Sequence, residues 1–129
     1  MTKIALRHNL FYKVKDGTKT STARFGVRGY PLGDAIFYCE ETGETVNIQI
    51  KALIYQKFNE LTLEDALRDG YKNLKEFKET LLNIYPQTLE NDEYTIVVFK
   101  YIAYPIREHL FKAKRADNGE WRLIYGKTN

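Results

Sequence analysis

The stretch Asp16-Gly17-Thr18-Lys19-Thr20-Ser21-Thr22-Ala23-Arg24 concentrates an amine, a guanidinium and several hydroxyl groups in nine residues. Its β-branched and small residues favour a strand, and the Asp-Gly pair before them is typical of a turn. Alternation along a strand places Thr20, Thr22 and Arg24 on one face. Taken alone, the pattern fits either a polar edge strand with solvated charges or the floor of a binding site.

Length and composition predict one ordinary globular domain. The chain has 129 residues, of which 43% are hydrophobic and 29% charged. This length is typical of a single domain with one core, so we expect one domain over residues 1–129. No segment approaches the roughly 18 apolar residues of a membrane span, and we expect a cytoplasmic protein without membrane contact.

Charge and residue usage narrow the classes of ligand. The net charge of +3 is smaller than that expected of dedicated duplex DNA binders. It fits a small anionic ligand at least as well as a long phosphate backbone. Ten tyrosines could stack on a base or pack in the core. The single cysteine, Cys39, excludes an intramolecular disulfide and a thiolate-rich metal site. His8 and His109 are far apart and fit solvated surface positions, so we predict no metal and no cofactor.

Periodicity predicts strands on both sides of a central pair of helices. Apolar spacing favours a short helix over residues 6–14, a structured loop over 25–34, and strands over 35–40 and 45–55. In this pattern Cys39 packs as a small apolar residue.

The second half contains the predicted helices and the strongest strand. Thr62 is a helix N-cap with Asp65 three residues later, and Gly70 ends that helix. A second helix begins at Asn73 and stops at Pro86. The apolar run 94–102 predicts a central strand, and an Asn-Gly pair in the tail predicts a hairpin of residues 110–114 and 121–125. Together these elements predict an α+β fold with a curved or barrel-like sheet.

The ordered motifs resemble the ASCH domain family, whose members have a PUA-like β-barrel with a few short helices. The matching pieces span about residues 5–102, and the tail from residue 103 extends past the compact members. They are Gly17 to Arg24, Gly33-Asp34, Leu61 to Ala66, Asp69-Gly70-Tyr71, Asn73 to Phe77, Ile84-Tyr85-Pro86 and Ile96 to Phe99.

The resemblance implies a nucleoside- or RNA-related role in a cleft beside the Lys-Thr strand. Some compact bacterial relatives resemble amidohydrolases that deacetylate N(4)-acetylcytidine through a lysine, a threonine and a glutamate. By similarity these catalytic positions are Lys19, Thr22 and Glu76. Other members are described as RNA binders or ribonucleases, so the resemblance leaves both an enzyme and a non-catalytic RNA-binding module open.

The chemistry of these residues leaves their roles open. A neutral lysine could take the proton of the Thr22 hydroxyl, but this requires a pKa well below the usual 10.4. Alternatively Glu76 is a proton shuttle, or merely a capping residue at the third position of its helix, and Lys19 stabilises an oxyanion. We predict Arg24, Arg28 and Thr20 as substrate-binding residues, since two guanidinium groups can hold a phosphate or carboxylate.

Overall fold

The computed structural model describes residues 1–103, 111–115 and 121–125. This part contains seven strands: β1 (Thr2–Ala5), β2 (Ser21–Phe25), β3 (Gly33–Tyr38), β4 (Thr45–Lys57), β5 (Glu93–Tyr101), β6 (Phe111–Arg115) and β7 (Trp121–Tyr125). It also contains three α-helices: α1 (Phe11–Lys15), α2 (Leu63–Arg68) and α3 (Leu74–Ile84). Single turns of 3-10 helix lie at His8–Leu10 and Phe58–Glu60.

Five strands form a mixed sheet that curls into a half-barrel. Their order is β1-β3-β4-β5-β2, with β1 parallel to β3 and the other neighbours antiparallel. A register shift between Ile50 and Ala52 of β4 interrupts the ladder with β5, and such bulges bend a strand. The predicted α+β fold with a curved, barrel-like sheet is therefore confirmed.

Strand β5 lies between β4 and β2 and is covered on both faces. Val97 and Phe99 pack into the larger core cluster, on one face of the sheet. Tyr94 and Ile96 pack into a second cluster beneath α2 and α3. Burial of alternate residues on opposite faces explains the continuous apolar run that predicted a central strand.

The structure agrees only in part with the remaining sequence predictions. The helix expected over residues 6–14 is shorter, because a 3-10 turn precedes α1. Cys39 is buried in the larger core cluster, and exposed His8 contacts Glu44 at 2.8 Å, both as predicted. Strands β6 and β7 pair antiparallel, whereas the predicted turn between them and His109 lie outside the described residues. Within the described ranges, no helix is long and apolar enough to cross a membrane.

The first turn of α2 has the predicted cap. The Asp65 N–H donates to the Thr62 hydroxyl at 3.2 Å, and the Thr62 N–H donates to the Asp65 carboxylate at 2.8 Å. We expect Thr62→Ala to lower the free energy of unfolding by about 1 kcal/mol, because both bonds belong to one capping box. Urea denaturation measures this change. An unchanged midpoint would contradict the stabilising role of the cap, and Thr45→Ala, at an exposed position of β4, controls for loss of a threonine.

Candidate functional site

A cavity of about 650 Å³ opens between the two edge strands, β1 and β2, of the half-barrel. Its floor includes Lys19, Thr22, Ala23 and Arg24 of the Lys-Thr stretch. Cavities of this size are typical of small-molecule sites. The stretch is therefore at a sheet edge, as one prediction had it, but Lys19 and Thr22 are 2% and 4% exposed rather than solvated.

The floor holds a buried ion pair between Lys19 and Asp69. The Lys19 ammonium donates to the Asp69 carboxylate, and its Nζ also lies 3.4 Å from the Asp69 carbonyl oxygen. Asp69 is 6% exposed and caps the C-terminus of α2, while the cavity reaches both side chains. Two opposite charges are thus held out of water at the bottom of an accessible cavity.

Burial shifts both members of this pair toward their neutral forms. Loss of hydration lowers the pKa of Lys19, and the neighbouring Asp69 carboxylate offsets this only in part. The charges of Arg24 and Lys13 lower the pKa of Lys19 further. Loss of hydration likewise raises the pKa of Asp69, against the opposing effects of Lys19 and Arg24. A proton can therefore move from the amine to the carboxylate at a lower cost than in water.

Thr22 and Arg24 complete the polar floor. Arg24 Nη2 donates to Thr22 Oγ1 at 3.2 Å, which leaves the hydroxyl proton of Thr22 free to be donated. The Nε of Arg24 is buried and has no hydrogen-bond partner among the described residues. No carboxylate in that part of the chain forms an ion pair with Arg24. Arg24 is therefore a cation with spare donor capacity beside a hydroxyl group.

The two walls of the cavity differ in character. Helix α3 and the residues around it contribute an apolar and aromatic wall, which consists of Tyr71, Phe77, Thr80, Leu81, Ile84 and Tyr85. The opposite wall comes from the segment after β1 and the end of β3, and it carries the exposed charges of Arg7, Glu40 and Glu41. A flat, partly apolar ligand can pack on the first wall and be hydrogen-bonded from the second.

The charges around the cavity cancel. The described lining residues carry three cations, Arg7, Lys19 and Arg24, and three carboxylates, Glu40, Glu41 and Asp69. Lys19 and Asp69 neutralise each other in the floor. The mouth therefore carries no excess of positive charge, whereas a groove that follows a nucleic-acid backbone is strongly cationic.

The structure brings together only part of the predicted site. Lys19, Thr22 and Arg24 share the cavity, whereas Glu76 and Arg28 are exposed and do not line it. The backbone N–H of Glu76 donates to Asn73 Oδ1 at 2.8 Å, so this glutamate lies in the capped first turn of α3. Arg28 Nε donates to the carbonyl of Phe25 at 3.1 Å.

Thr20 lies outside this cavity as well. It precedes β2, is exposed, and borders a separate hollow of about 270 Å³ with Lys15 and Lys100. Its backbone N–H donates to the carbonyl of Arg68 at 2.7 Å, which fixes the Lys-Thr stretch against the end of α2. Thr20 thus positions the strand, while the polar groups of the large cavity come from other residues.

The acid beside Lys19 is Asp69, to which the sequence prediction gave no role in the site. Gly70 has a φ of +91° and does end the helix, as its position predicted. One signal could have drawn attention to Asp69, namely the Asp-Gly-Tyr motif that occurs in the same ordered set as the Lys-Thr stretch.

Among the described residues, no group of three or more His, Cys, Asp or Glu side chains could hold a metal ion.

Comparisons with known proteins identify the fold. The sequence matches no family model and no curated protein. Among solved structures, an ASCH domain from Lactobacillus crispatus superposes with a TM-score of 0.64 at 14% sequence identity, over 78% of this chain and 79% of that one. A mutant of the ASCH protein from Zymomonas mobilis gives a TM-score of 0.57 at 15% identity, over 81% and 71% of the two chains.

A third solved structure also superposes on this chain. A protein from Enterococcus faecalis superposes with a TM-score of 0.58 at 14% identity, over 73% of this chain and 67% of that one. At identities this low, the superpositions establish the shared fold and show nothing about activity. The protein therefore has the ASCH fold, and the fold expected from the sequence resemblance is confirmed.

Proposed function

From the ASCH fold and the geometry of the cavity, we propose that the protein binds a nucleoside and hydrolyses an acylated exocyclic amino group, as in N(4)-acetylcytidine. The observation that carries this proposal is the buried Lys19–Asp69 pair in the same cavity floor as the Thr22 hydroxyl. A proton donor and acceptor in the same cavity as a hydroxyl group are the parts that acyl transfer needs.

Each group has a role in the proposed reaction. Thr22 Oγ1 attacks the acyl carbon while its proton passes to neutral Lys19. The oxygen of the tetrahedral intermediate gains negative charge, which the guanidinium of Arg24 stabilises. The carbon–nitrogen bond breaks as Asp69, in its protonated form, gives a proton to the leaving amino group. Water then attacks the threonine ester and gives a proton to the Asp69 carboxylate, while the Lys19 ammonium returns a proton to Thr22 Oγ1 and acetic acid is released.

This assignment replaces the predicted proton-transferring glutamate with an aspartate. Glu76 is exposed in the first turn of α3, whereas Asp69 contacts Lys19 directly. Contact with an acid would weaken a lysine base in water, since it stabilises the ammonium form. Here burial is the larger effect, and the pKa of Lys19 remains below its ordinary value. The lysine-base scheme therefore remains compatible with the geometry.

The charge distribution favours a free nucleoside over an RNA strand. Affinity for a polynucleotide comes mainly from cations that replace its counterions. Glu40 and Glu41 at the mouth oppose a polyanion, and Arg28 lies away from the cavity. A neutral nucleoside meets no such repulsion, and its base can pack against the aromatic wall around Tyr71 and Tyr85.

Release of cytidine from N(4)-acetylcytidine by the purified full chain tests the proposal. We expect turnover without added RNA, and its absence across the pH range would overturn the proposed hydrolysis. Titration with labelled single-stranded RNA at several salt concentrations tests the alternative binding module. Tight, strongly salt-dependent binding without turnover, or cleavage of the RNA, would favour that alternative or a ribonuclease.

We expect the rate of this hydrolysis to depend on pH as a bell-shaped curve. The active pair holds one proton, shared between Lys19 and Asp69, so a second proton removes the base and loss of the last proton removes the acid. In Asp69→Asn the fall in rate at high pH is lost, because that fall comes from deprotonation of the acid, and the pKa of Lys19 falls further, because the carboxylate that raises it is absent. The rate of the variant, although lower, should then rise to a plateau at lower pH. An unchanged bell would contradict a shared proton.

A further inference from the structure

Lys13, a half-buried residue of α1 that does not line the cavity, contacts both segments that form the catalytic pair. Its backbone carbonyl accepts the N–H of Lys19 at 2.9 Å. Its ammonium group donates to the carbonyl of Gly70 at 3.2 Å. One residue therefore connects the start of the Lys-Thr stretch to the turn that carries Asp69.

The side chain of Lys13 also lies close to the Gly70 turn and to Lys19. A methyl group placed on Gly70 would lie 3.4 Å from Lys13 Cδ and 3.5 Å from Lys19 Cβ. The Lys13 ammonium also lies 5.9 Å from the centre of the Tyr71 ring, a distance at which a cation is attracted to the aromatic face. Because Tyr71 lines the cavity, Lys13 contacts a wall residue as well as the segments that carry the floor residues.

We propose that Lys13 is a positioning residue of this site, which holds Lys19, the Asp69–Gly70 turn and Tyr71 in their relative places. The hydrogen-bond donor of Lys13 and its positive charge have separate effects. Its donor group fixes the turn, and its charge acts on the neighbouring amine of Lys19. The charged groups that act on that amine are Asp69, Arg24 and Lys13, and of these Lys13 alone lies outside the cavity.

The charge of Lys13 favours the neutral form of Lys19. A nearby cation opposes a second positive charge, and Lys13 accordingly contributes to lowering the pKa of Lys19. Loss of this charge should raise the pKa of Lys19. This part of the inference rests on the proposed function, since a neutral Lys19 matters only if it acts as a base.

Three substitutions separate the two features. Lys13→Met removes the donor and the charge but keeps an unbranched side chain, Lys13→Gln keeps a donor without charge, and Lys13→Arg keeps both. Lys15→Met is the matched control, because Lys15 is an exposed lysine at the end of the same helix. Heteronuclear NMR of ¹³C-labelled lysine follows the Cε shift of Lys19 with pH, with Lys19→Met used to assign the signal.

We expect the titration of Lys19 to move to higher pH in Lys13→Met and Lys13→Gln and to stay in place in Lys13→Arg and Lys15→Met. Amide exchange at Gly70 and Tyr71 should accelerate in Lys13→Met and much less in Lys13→Gln. The proposal is overturned if Lys13→Met changes neither measurement, or if Lys15→Met changes both equally. Should Lys13→Met not fold, Lys13→Gln against Lys13→Arg still decides the effect of charge. These readouts do not depend on turnover, so failure of the proposed hydrolysis would be recognised separately.

Discussion

Thr22→Val is expected to lower the turnover of N(4)-acetylcytidine by roughly 10³-fold or more, because it removes the hydroxyl group while keeping the shape of the side chain. Thr22 is 4% exposed and its side-chain oxygen accepts a hydrogen bond from Arg24 at 3.2 Å. Valine suits a strand, so the fold of β2 should persist. The measurement is the initial rate of cytidine release.

Controls distinguish a nucleophile from a packing residue. Thr22→Ser retains the hydroxyl and should keep measurable turnover, whereas Thr45→Val makes the same change at an exposed position of β4 and should leave the rate unchanged. Thermal denaturation of all three variants shows whether stability changes with activity. Turnover in Thr22→Val equal to that of the wild type would eliminate the threonine nucleophile while leaving the binding site intact.

The elements whose pattern is local were predictable from the sequence. The central strand β5 follows from a continuous apolar run, and the start of α2 follows from Thr62 and Asp65. In each case the residues that decide the structure lie within a few positions of one another. The location of the Lys-Thr stretch at a sheet edge was also predictable from local composition. Central strands that are buried on both faces are apolar, whereas this stretch is polar.

The partner of Lys19 was not predictable in this way. Asp69 and Lys19 are 50 residues apart, and they meet because the end of α2 packs beside the start of β2. Local sequence assigns Asp69 to a helix C-terminus, which is correct but incomplete. Glu76 fitted the expected residue type and helix, yet the capped first turn of α3 leaves it exposed. Which acid faces the strand depends on tertiary packing.

Replacing either member of the buried pair should destabilise the protein strongly. Lys19→Met leaves the Asp69 carboxylate without its partner, and Asp69→Leu leaves the Lys19 ammonium without one. We expect each single change to lower the free energy of unfolding by about 3–5 kcal/mol at neutral pH. Chemical denaturation measures these values, and Lys15→Met gives the effect of removing an exposed lysine from the adjoining segment.

The double substitution Lys19→Met with Asp69→Leu should recover most of this loss, because apolar side chains of similar size avoid the desolvation of two charges. Recovery of stability without recovery of turnover would mean that the pair is kept for its chemistry, since an apolar floor would then hold the fold equally well. A double variant as unstable as the sum of the single changes would instead show that the pair is needed for stability. Because the cavity reaches both charged groups, we expect the first outcome.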